Sequence, residues 1–267
     1  MPTELSGRRA LVSGATGGIG AAIARALHER GASLAITGRR VDQLERLSGE
    51  LGDRVDVIPC DLTQPAEVAE LVDRAGAVDV FVSNAGLPGS GRLDDFTPEQ
   101  IDRALDVNLR APMRISRAVL PGMVERDFGR LVYISSMAGK VANAYASVYS
   151  ATKFGLRGFA LALRDELRGS GIGVTAVFPG FIRDAGMFAD SGTKLPGYVG
   201  TNTPQDVAAA VLKGIDTGRA EIDVAPVGMK IGARLAAVAP TPVAAMSQRL
   251  GGDKIGQALA EGQREKR

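Results

Sequence analysis

Residues 9–30 read RALVSGATGGIGAAIARALHER, and this stretch decides the fold. A short apolar run leads into a glycine-rich turn, and an amphipathic pattern over Ile19–Arg30 follows, which predicts a strand, a turn and a helix. Gly14 can turn tightly, Gly18 lets the backbone approach a phosphate, and Gly20 lets the helix pack closely on the strand. The free N–H groups and the positive dipole of the helix start suit a pyrophosphate. Taken alone, the motif is also compatible with a glycine-rich turn that binds nothing.

The same alternation continues along the chain, with short β-branched runs separated by longer helical patterns. Strands are predicted at Arg9–Ser13, Ser33–Thr37, Val55–Pro59, Val78–Ser83, Leu131–Ser135, Gly173–Phe178 and Glu221–Ala225. Helices are predicted at Ile19–Arg30, Val41–Leu51, Pro65–Ala75, Pro98–Arg126 (with Thr97 as N-cap), Ser147–Gly169 and Thr203–Ile215. Near-continuous apolar strands suit a parallel sheet that helices cover on both faces. We therefore expect an α/β fold, a single doubly wound Rossmann-type domain with a mostly parallel seven-stranded sheet.

Two parts of the chain are expected. Residues 1–225 are expected to form the Rossmann-type domain, in which a glycine-containing segment at 181–202 suits a mobile lid. Residues 226–267 carry seven Lys or Arg against three Asp or Glu and are expected to form a C-terminal appendage. The apolar part of this appendage could close over the same cleft as the lid.

Composition excludes several classes of protein. The formal charge of +2 argues against a broad basic face for nucleic acid. Cys60 is the only cysteine, so no internal disulfide and no Cys-rich metal site can form, and no metal is expected. A reducing compartment, the cytoplasm, is the expected location. No signal peptide or membrane span is expected, and the charge of the appendage is too sparse to predict contact with a membrane.

His28 is the only histidine, and it lies near the end of a predicted helix. A Ser–His–Asp hydrolase would have to use this residue. A histidine at the exposed end of a helix is more often a surface or capping side chain than a catalytic base, so hydrolase chemistry is not expected.

Tyr149 and Lys153 stand four residues apart in a predicted helix, so they share one face. Moving a hydride to a ketone builds negative charge on oxygen, and a proton must be supplied. A free phenol titrates near about 10, and a neighbouring ammonium would lower that pKa. We therefore expect Lys153 to tune Tyr149 as an acid and base. A solvated surface pair would be the alternative if no other motif accompanied it.

Other motifs do accompany the pair, and together they resemble the classical short-chain dehydrogenase/reductase family from residue 8 to about 225. The glycine loop has the spacing GxxxGxG, and the fourth predicted strand ends in Ser83-Asn84-Ala85-Gly86. The remaining matches are Asn108 in DVNL, Ser136 thirteen residues before Tyr149, Tyr149-xxx-Lys153, and Pro179-Gly180.

The resemblance implies a role for each matching residue. Tyr149 would be the general acid and base, and Lys153 would lower its pKa and hold the nicotinamide ribose. Ser136 would hydrogen-bond the substrate oxygen, with Ser135 as a less well spaced competitor, and Asn108 would hold a water that links Lys153 to solvent. The cofactor contacts that the resemblance implies are Gly14, Thr16, Gly18, Ile19, Gly20, Arg39, Asp61, Leu62, Asn84, Ala85, Gly86, Tyr149, Lys153, Pro179, Gly180 and Ile182.

The choice of cofactor depends on the residues after the second strand, Thr37-Gly38-Arg39-Arg40. No acidic residue is present there to accept the ribose hydroxyls of NAD, and an arginine can pair with a 2′-phosphate. NADP(H) is therefore expected, with NAD less favoured. Both arginines could instead be solvated residues that begin the next helix.

One position departs from the family pattern. Asp184 stands where the family usually has a threonine that bonds the nicotinamide carboxamide. An ionised carboxylate accepts but cannot donate a hydrogen bond, so the carboxamide would bond to it as a donor or to the backbone of Ile182.

The expected activity is NADP(H)-dependent interconversion of a ketone or aldehyde and an alcohol. The lid residues Phe181, Met187, Phe188, Leu195 and Tyr198 favour a hydrophobic substrate. A catalytically silent NADP(H)-binding regulator or scaffold is the alternative, although it would not need the proton relay. An extended-family epimerase or dehydratase would need a larger C-terminal domain. The resemblance also implies a homodimer or homotetramer built on the helices around Asn108 and Tyr149.

Overall fold

A computed structural model describes residues 2–197 and 199–266, and in it seven strands form one sheet. The strands are β1 (Arg9–Ser13), β2 (Ser33–Thr37), β3 (Val55–Val57), β4 (Val80–Ser83), β5 (Gly129–Ile134), β6 (Ile172–Pro179) and β7 (Glu221–Val224). Their order across the sheet is β3-β2-β1-β4-β5-β6-β7, and every pair is parallel. The predicted α/β class and the seven-stranded parallel sheet are confirmed.

Ten α-helices are described in residues 2–197 and 199–266. They are α1 (Gly18–Glu29), α2 (Val41–Leu51), α3 (Pro65–Ala75), α4 (Pro98–Leu105), α5 (Ala111–Glu125), α6 (Ser147–Glu166), α7 (Pro204–Thr217), α8 (Val227–Val238), α9 (Pro240–Arg249) and α10 (Gly252–Gly262). The predicted N-cap is confirmed, because the Thr97 hydroxyl accepts a hydrogen bond from the Gln100 N–H, and Thr203 caps α7 in the same way. The predicted helical segment Pro98–Arg126 is helical from Pro98 to Glu125, and a π-helical turn at Asp106–Arg110 joins α4 to α5 within it.

Side chains of alternating direction along each strand build one apolar core on each face of the sheet. Leu11 and Phe81 lie in the core beneath α3, α5 and α6, whereas Val12 and Val80 lie in the core beneath α1, α2 and α7. Because helices cover both faces of the sheet, a ligand can reach it at the carboxyl ends of the strands. The strand order reverses between β1 and β4, so the crevice that this topology offers to a ligand opens there.

The C-terminal residues form three helices that the sequence patterns did not predict. Helices α8 and α9 leave several large apolar side chains exposed, namely Val227, Ile231, Leu235, Val238, Met246 and Leu250. Helix α10 instead packs back toward the lid, where Gln263, the residue after it, is buried. The division of the chain into a catalytic domain and an appendage stays a prediction.

The state of the single cysteine and the character of the helices complete the description of the fold. Cys60 is free and buried, and burial is the main reason that its pKa is raised to about 12. Among the helices of the described ranges, none combines the length and the apolar character needed to cross a membrane.

Candidate active site

The glycine loop follows β1 and leads into α1, and backbone atoms surround its glycines. Gly14 has a φ of +68°, and a Cβ there would lie 2.7 Å from the Cα of Ala85. A Cβ on Gly20 would collide with the carbonyl oxygen of Gly14. Only glycine fits these two positions, the first for its left-handed backbone and the second for the close approach of the helix to the loop.

The end of β4 is tied to this loop by hydrogen bonds. The backbone N–H groups of Asn84 and Ala85 donate to the Ser13 hydroxyl at 3.1 and 3.2 Å. The Asn84 amide donates to the carbonyls of Ser13 and Gly14 at 3.2 and 3.0 Å. Asn84 and Ala85 therefore shape the loop. Ser13 was not among the predicted site residues, although a polar side chain ending an apolar strand is a signal that could have found it.

The loop meets a simple test for a dinucleotide. Gly17 precedes α1 and has no side-chain cap, so in the described structure no capping side chain occupies the first N–H groups of the helix. A bare Gly18 stands at this helix start, beside Thr16 and Ile19 of the loop. The free donors, the positive helix end and the missing side chain suit a pyrophosphate.

Two arginines follow β2 and behave differently. Arg40 donates from its guanidinium to the carbonyl and the hydroxyl of Thr16 at 3.0 and 3.2 Å, so it lies against the glycine loop. Arg39 is exposed and has no hydrogen bond or ion pair within the described part of the chain. Arg40 thus places a cation against the loop, although the two are 24 residues apart in sequence, and no carboxylate accompanies the arginines at the end of β2.

Asp61 and Leu62 follow β3 but make local contacts. The Asp61 carboxylate accepts from the backbone N–H and the hydroxyl of Thr63 at 3.0 and 2.9 Å, and the Asp61 N–H donates to Glu67. Leu62 is buried in the core beneath α3. An adenine contact at this corner would therefore use the backbone and any lone pairs of Asp61 that Thr63 leaves.

The two serines after β5 face different neighbours. The Ser135 hydroxyl is buried and donates to the carbonyl of Lys153 at 3.1 Å, so it fastens the strand to α6. Ser136 accepts from the Ala138 N–H at 3.1 Å, and it lies close enough to the Tyr149 phenol to lower the pKa of that group. The geometry thus separates the two candidates, because Ser136 and not Ser135 meets the phenol.

Tyr149 and Lys153 lie on one face of α6, as their spacing predicts. The Lys153 Nζ is 5.6 Å from the centre of the Tyr149 ring and donates to the carbonyl of Ile134 at 3.0 Å. The Lys153 residue is only 2% exposed, and burial lowers its pKa to about 8.

The expected lowering of the Tyr149 pKa is not found. Burial raises the pKa of Tyr149 to about 12, and the hydrogen bond with Ser136 offsets only part of the increase. Desolvation therefore outweighs the effect of the ammonium on Tyr149 in this structure.

Asn108 occupies the π-helical turn and is fully buried. Its side-chain oxygen accepts from the Leu87 N–H at 2.7 Å, and its amide donates to the Leu87 carbonyl at 3.0 Å and to the Thr152 hydroxyl at 3.2 Å. The side chain therefore pins the loop after β4 to α6. π-Helical turns occur often at functional sites, and this one lies against the loop after β4 and α6.

The end of β6 forms the opposite wall. Gly180 donates to the Val224 carbonyl at 2.9 Å, and a Cβ there would lie 2.9 Å from the Met229 sulfur. Pro179 and Ile182 are buried beside it. Asp184 has a φ of +70°, and its exposed carboxylate lies 3.5 Å from the Arg183 guanidinium.

The predicted lid packs partly on itself. The rings of Phe181 and Phe188 lie 5.0 Å apart, and the Met187 methyl group lies 3.2 Å from the position that a Cβ on Gly86 would take. That same position is 3.6 Å from the Lys153 Nζ, so Met187 reaches the reactive end of α6. Tyr198, the remaining aromatic residue proposed for the lid, lies outside the described residues.

Lys140, which was not among the predicted site residues, holds the loop that carries Ser136. Lys140 forms ion pairs with Glu221 and Asp223 of β7 at 2.9 and 2.6 Å, and its Nζ lies 4.0 Å over the ring of Phe178. These contacts join the loop that carries Ser136 to the sheet edge. Within the described ranges, no group of three or more His, Cys, Asp or Glu side chains is arranged to hold a metal ion.

Comparison with known proteins agrees with this geometry. A family model described as short chain dehydrogenase matches residues 8–195. The ketoacyl reductase HetN of Nostoc sp. is 36% identical over 229 residues, which covers 83% of this chain and 80% of that protein.

Two solved structures are similar over most of their length. A variant of actinorhodin polyketide ketoreductase, solved with NADPH, has a TM-score of 0.74 and 33% identity, covering 84% of this chain and 98% of that one. A short-chain dehydrogenase from Streptomyces avermitilis has a TM-score of 0.77 and 29% identity, covering 94% of this chain and 99% of that one.

Proposed function

Because the chain belongs to the short-chain dehydrogenase family and is therefore an NAD(P)-dependent oxidoreductase, we propose that it reduces a hydrophobic ketone or aldehyde to an alcohol with NADPH. The observation that carries this proposal is the placement of Tyr149 beside Ser136, with the buried Lys153 on the same face of α6. A protein that only bound the cofactor would need the glycine loop but not this relay. The reverse oxidation would use the same residues.

The proposed roles follow from the bonding of each residue. Ser136 uses its oxygen to accept from Ala138, so its proton is available for the substrate oxygen or the phenol. Tyr149 is protonated at neutral pH, as a phenol of ordinary pKa near about 10 also would be, so it has a proton to donate when charge develops on the carbonyl oxygen. The bound nicotinamide supplies the hydride.

Lys153 is protonated at neutral pH, since its pKa of about 8 lies above 7. Its charge favours the phenolate that Tyr149 becomes after giving up the proton, and its remaining N–H groups suit the ribose hydroxyls. Asn108 fixes the Leu87 loop and, through Thr152, the first turn of α6. We propose that this is its main contribution, and that its backbone carbonyl also binds the water that links Lys153 to solvent.

The preference for NADP(H) is proposed from the donor set after β2. Arg39 has no partner in the described part of the chain, so it can turn to a 2′-phosphate, and Arg40 is held close by through Thr16. The similarity to a ketoreductase that was solved with NADPH also favours NADP(H) over NAD(H) for this chain. We propose the glycine loop, Asp61, the Asn84–Gly86 corner and the Pro179–Ile182 segment as the other cofactor contacts.

A hydrophobic substrate is proposed from the lid. Phe181, Met187 and Phe188 are apolar, and Met187 reaches the Lys153 end of the crevice. The test is kcat/KM with NADPH across ketones of rising chain length, followed by the absorbance of the reduced nicotinamide. Each buried methylene should add up to about 0.8 kcal/mol of transition-state binding until the pocket is full. A flat series with best activity on the smallest polar ketone would contradict the proposal.

We also propose a homodimer or homotetramer built on α5 and α6. Val124 of α5 and Phe154 of α6 are large apolar residues that remain 51% and 40% exposed. Sedimentation of the purified protein tests this proposal, and a monomer at all concentrations would contradict it.

A silent NADP(H)-binding regulator remains the alternative function. The raised pKa of Tyr149 is the observation that favours it, because a phenol that titrates near 12 exchanges protons slowly at neutral pH. Tight NADPH binding without turnover on any member of a broad carbonyl panel would support this alternative.

A further inference from the structure

Three consecutive lid residues lie directly against the cofactor side of the crevice. The Cβ that Gly18 lacks would fall on the Cβ of Ala185. A Cβ on Gly186 would lie 3.3 Å from the side chain of Ile19, and Met187 reaches Gly86. We call residues 185–187 the strap.

The strap lies against the start of α1, where a phosphate is expected to bind. Gly18 begins α1, whose first N–H groups have no side-chain cap within the described residues, and the absent side chain of Gly18 is what would let a phosphate approach them. Ala185 fills that approach. Asp184 and Gly186 adopt left-handed backbones with φ values of +70° and +89°, and these two turns direct Ala185 toward the loop.

The C-terminal end of the chain fastens the strap. Gln263 donates from its side-chain amide to the Met187 carbonyl at 3.0 Å, and a Cβ on Gly262 would collide with the carbonyl of Ser191. Farther along α10, a Cβ on Gly256 would lie 2.9 Å from the carbonyl of Ala144, in the turn that leads into α6. Helix α10 therefore spans the crevice from the lid to the start of α6.

Gln263 is held at a cost to stability. The residue is only 5% exposed, and its side-chain oxygen is buried without a hydrogen-bond partner in the described part of the chain. The amide of this side chain holds the Met187 carbonyl, whereas its oxygen has no donor to accept from among the described residues. Such a local conflict is typical of a residue that serves function rather than stability.

We propose that the strap and the dinucleotide compete for the glycine loop, and that Gln263 is a positioning residue that holds the strap in the competing position. This inference rests on the proposed function only in taking a dinucleotide as the ligand of the loop. The apparent affinity for the cofactor is then reduced by the fraction of molecules in which the strap is fastened. Loosening the fastening should tighten cofactor binding.

The first test compares the same substitution at two glutamines of the C-terminal segment. Gln263→Met removes the hydrogen bond to the strap, and Gln257→Met is the matched control, because Gln257 is exposed and its side chain bonds to Glu261 on the same helix. Titration by the fluorescence of NADPH should give a Kd about twofold to tenfold lower for Gln263→Met, the range that one hydrogen bond provides. The control should match the wild type.

The second test moves the fastening without touching Gln263. Gly262→Ala pushes α10 away from Ser191, and Gly228→Ala on α8 is its control because nothing lies within 4 Å of the added atom. Gly262→Ala should also bind NADPH more tightly. Without cofactor, trypsin should cleave the lid after the exposed Lys194 faster in Gly262→Ala than in Gly228→Ala.

Each outcome decides between the inferences. Equal Kd values in all four variants and the wild type would overturn the strap and leave the proposed function intact. Weaker binding by Gln263→Met would also overturn it, because α10 would then hold a lid that retains the cofactor. Failure of the wild type to bind NADPH or NADH at all would overturn the proposed function, and the strap with it.

Discussion

The two sides of the crevice are built in different ways. On the cofactor side, backbone atoms approach the glycines closely, as at Gly14 and Gly20. On the lid side, the decisive contacts come from single side chains, such as Gln263 on the Met187 carbonyl, and Gly192 and Gly197 have nothing within 4 Å. Gly14 and Gly20 on the first side leave no room for an added atom, whereas Gly192 and Gly197 on the second side do. We infer that the cofactor side is a fixed frame and that the lid side is the adjustable part.

The largest effect is expected from a substitution that removes the proton donor while the cofactor side and the lid side keep their structure. Tyr149→Phe deletes the proton donor and should lower kcat by at least about 10²–10⁴. Steady-state kinetics and NADPH titration together measure it, and cofactor binding should persist. Tyr145→Phe, in the turn before α6, is the control and should remain active. A Tyr149→Phe enzyme with near-normal kcat would show that another group supplies the proton.

The second prediction sharpens the contrast between the fixed and the adjustable side. Gly20→Ala places a methyl group against the Gly14 carbonyl, which should lower the free energy of unfolding by about 1–3 kcal/mol or more. Gly228→Ala adds the same atom in open space on α8 and should raise it by up to about 1 kcal/mol. Urea unfolding measures both values. Equal changes in the free energy of unfolding would mean that the cofactor side is as adjustable as α8.

The third prediction concerns the buried ammonium between the two sides. Burial lowers the pKa of Lys153 from the ordinary 10.5 to about 8, so the unfolded chain binds the proton more tightly between these values. The wild type should therefore become more stable as the pH rises from about 8 toward 10.5, relative to Lys153→Met, by up to about 3 kcal/mol. Below pH 8 the buried Lys153 is protonated, and its full destabilising effect on the folded wild type is present.

Urea unfolding of wild type and Lys153→Met at pH 7 and pH 9.5 measures this change, and the variant should have lost turnover. The difference between two pH values is the decisive quantity, because the Ile134 carbonyl loses its donor in the variant at either pH. A difference in stability that does not change with pH would contradict the lowered pKa.

The smallest expected effect separates the two arginines on the cofactor side. Arg39→Ala should weaken NADPH binding by about tenfold, the value of one charge-assisted hydrogen bond, and leave NADH binding unchanged. Arg40→Ala should cost less, because Arg40 already bonds to Thr16. Fluorescence titration with both cofactors measures the gap. Equal losses for NADPH and NADH in Arg39→Ala would contradict a 2′-phosphate contact.

Sequence patterns predicted most of the fixed frame, because its contacts are local or recur with a short period. The strand alternation, the Thr97 cap and the pairing of Tyr149 with Lys153 on one helix face all follow from spacings of a few residues. The π-helical turn around Asn108 does not, since a buried amide that bonds Leu87 across 21 residues decides it.

The adjustable side could not be predicted in the same way. Gln263 and Met187 meet across 76 residues, and nothing in their local sequence marks them as partners. The direction of the Tyr149 pKa also depends on burial, which the helical spacing of Lys153 does not reveal. Helices α8 and α9 carry exposed apolar residues, so their pattern lacked the polar face by which an amphipathic surface helix is recognised.

The burial of Cys60 has a practical consequence. Since the thiolate is the reactive form and the thiol of Cys60 has a pKa of about 12, this group should resist maleimides under conditions that label exposed thiols. As the sole cysteine of the chain, it need not be removed before a new one is introduced. A single fluorophore or spin label could thus be attached at a chosen residue of the lid in an otherwise native protein, and it would report each passage of that segment across the crevice.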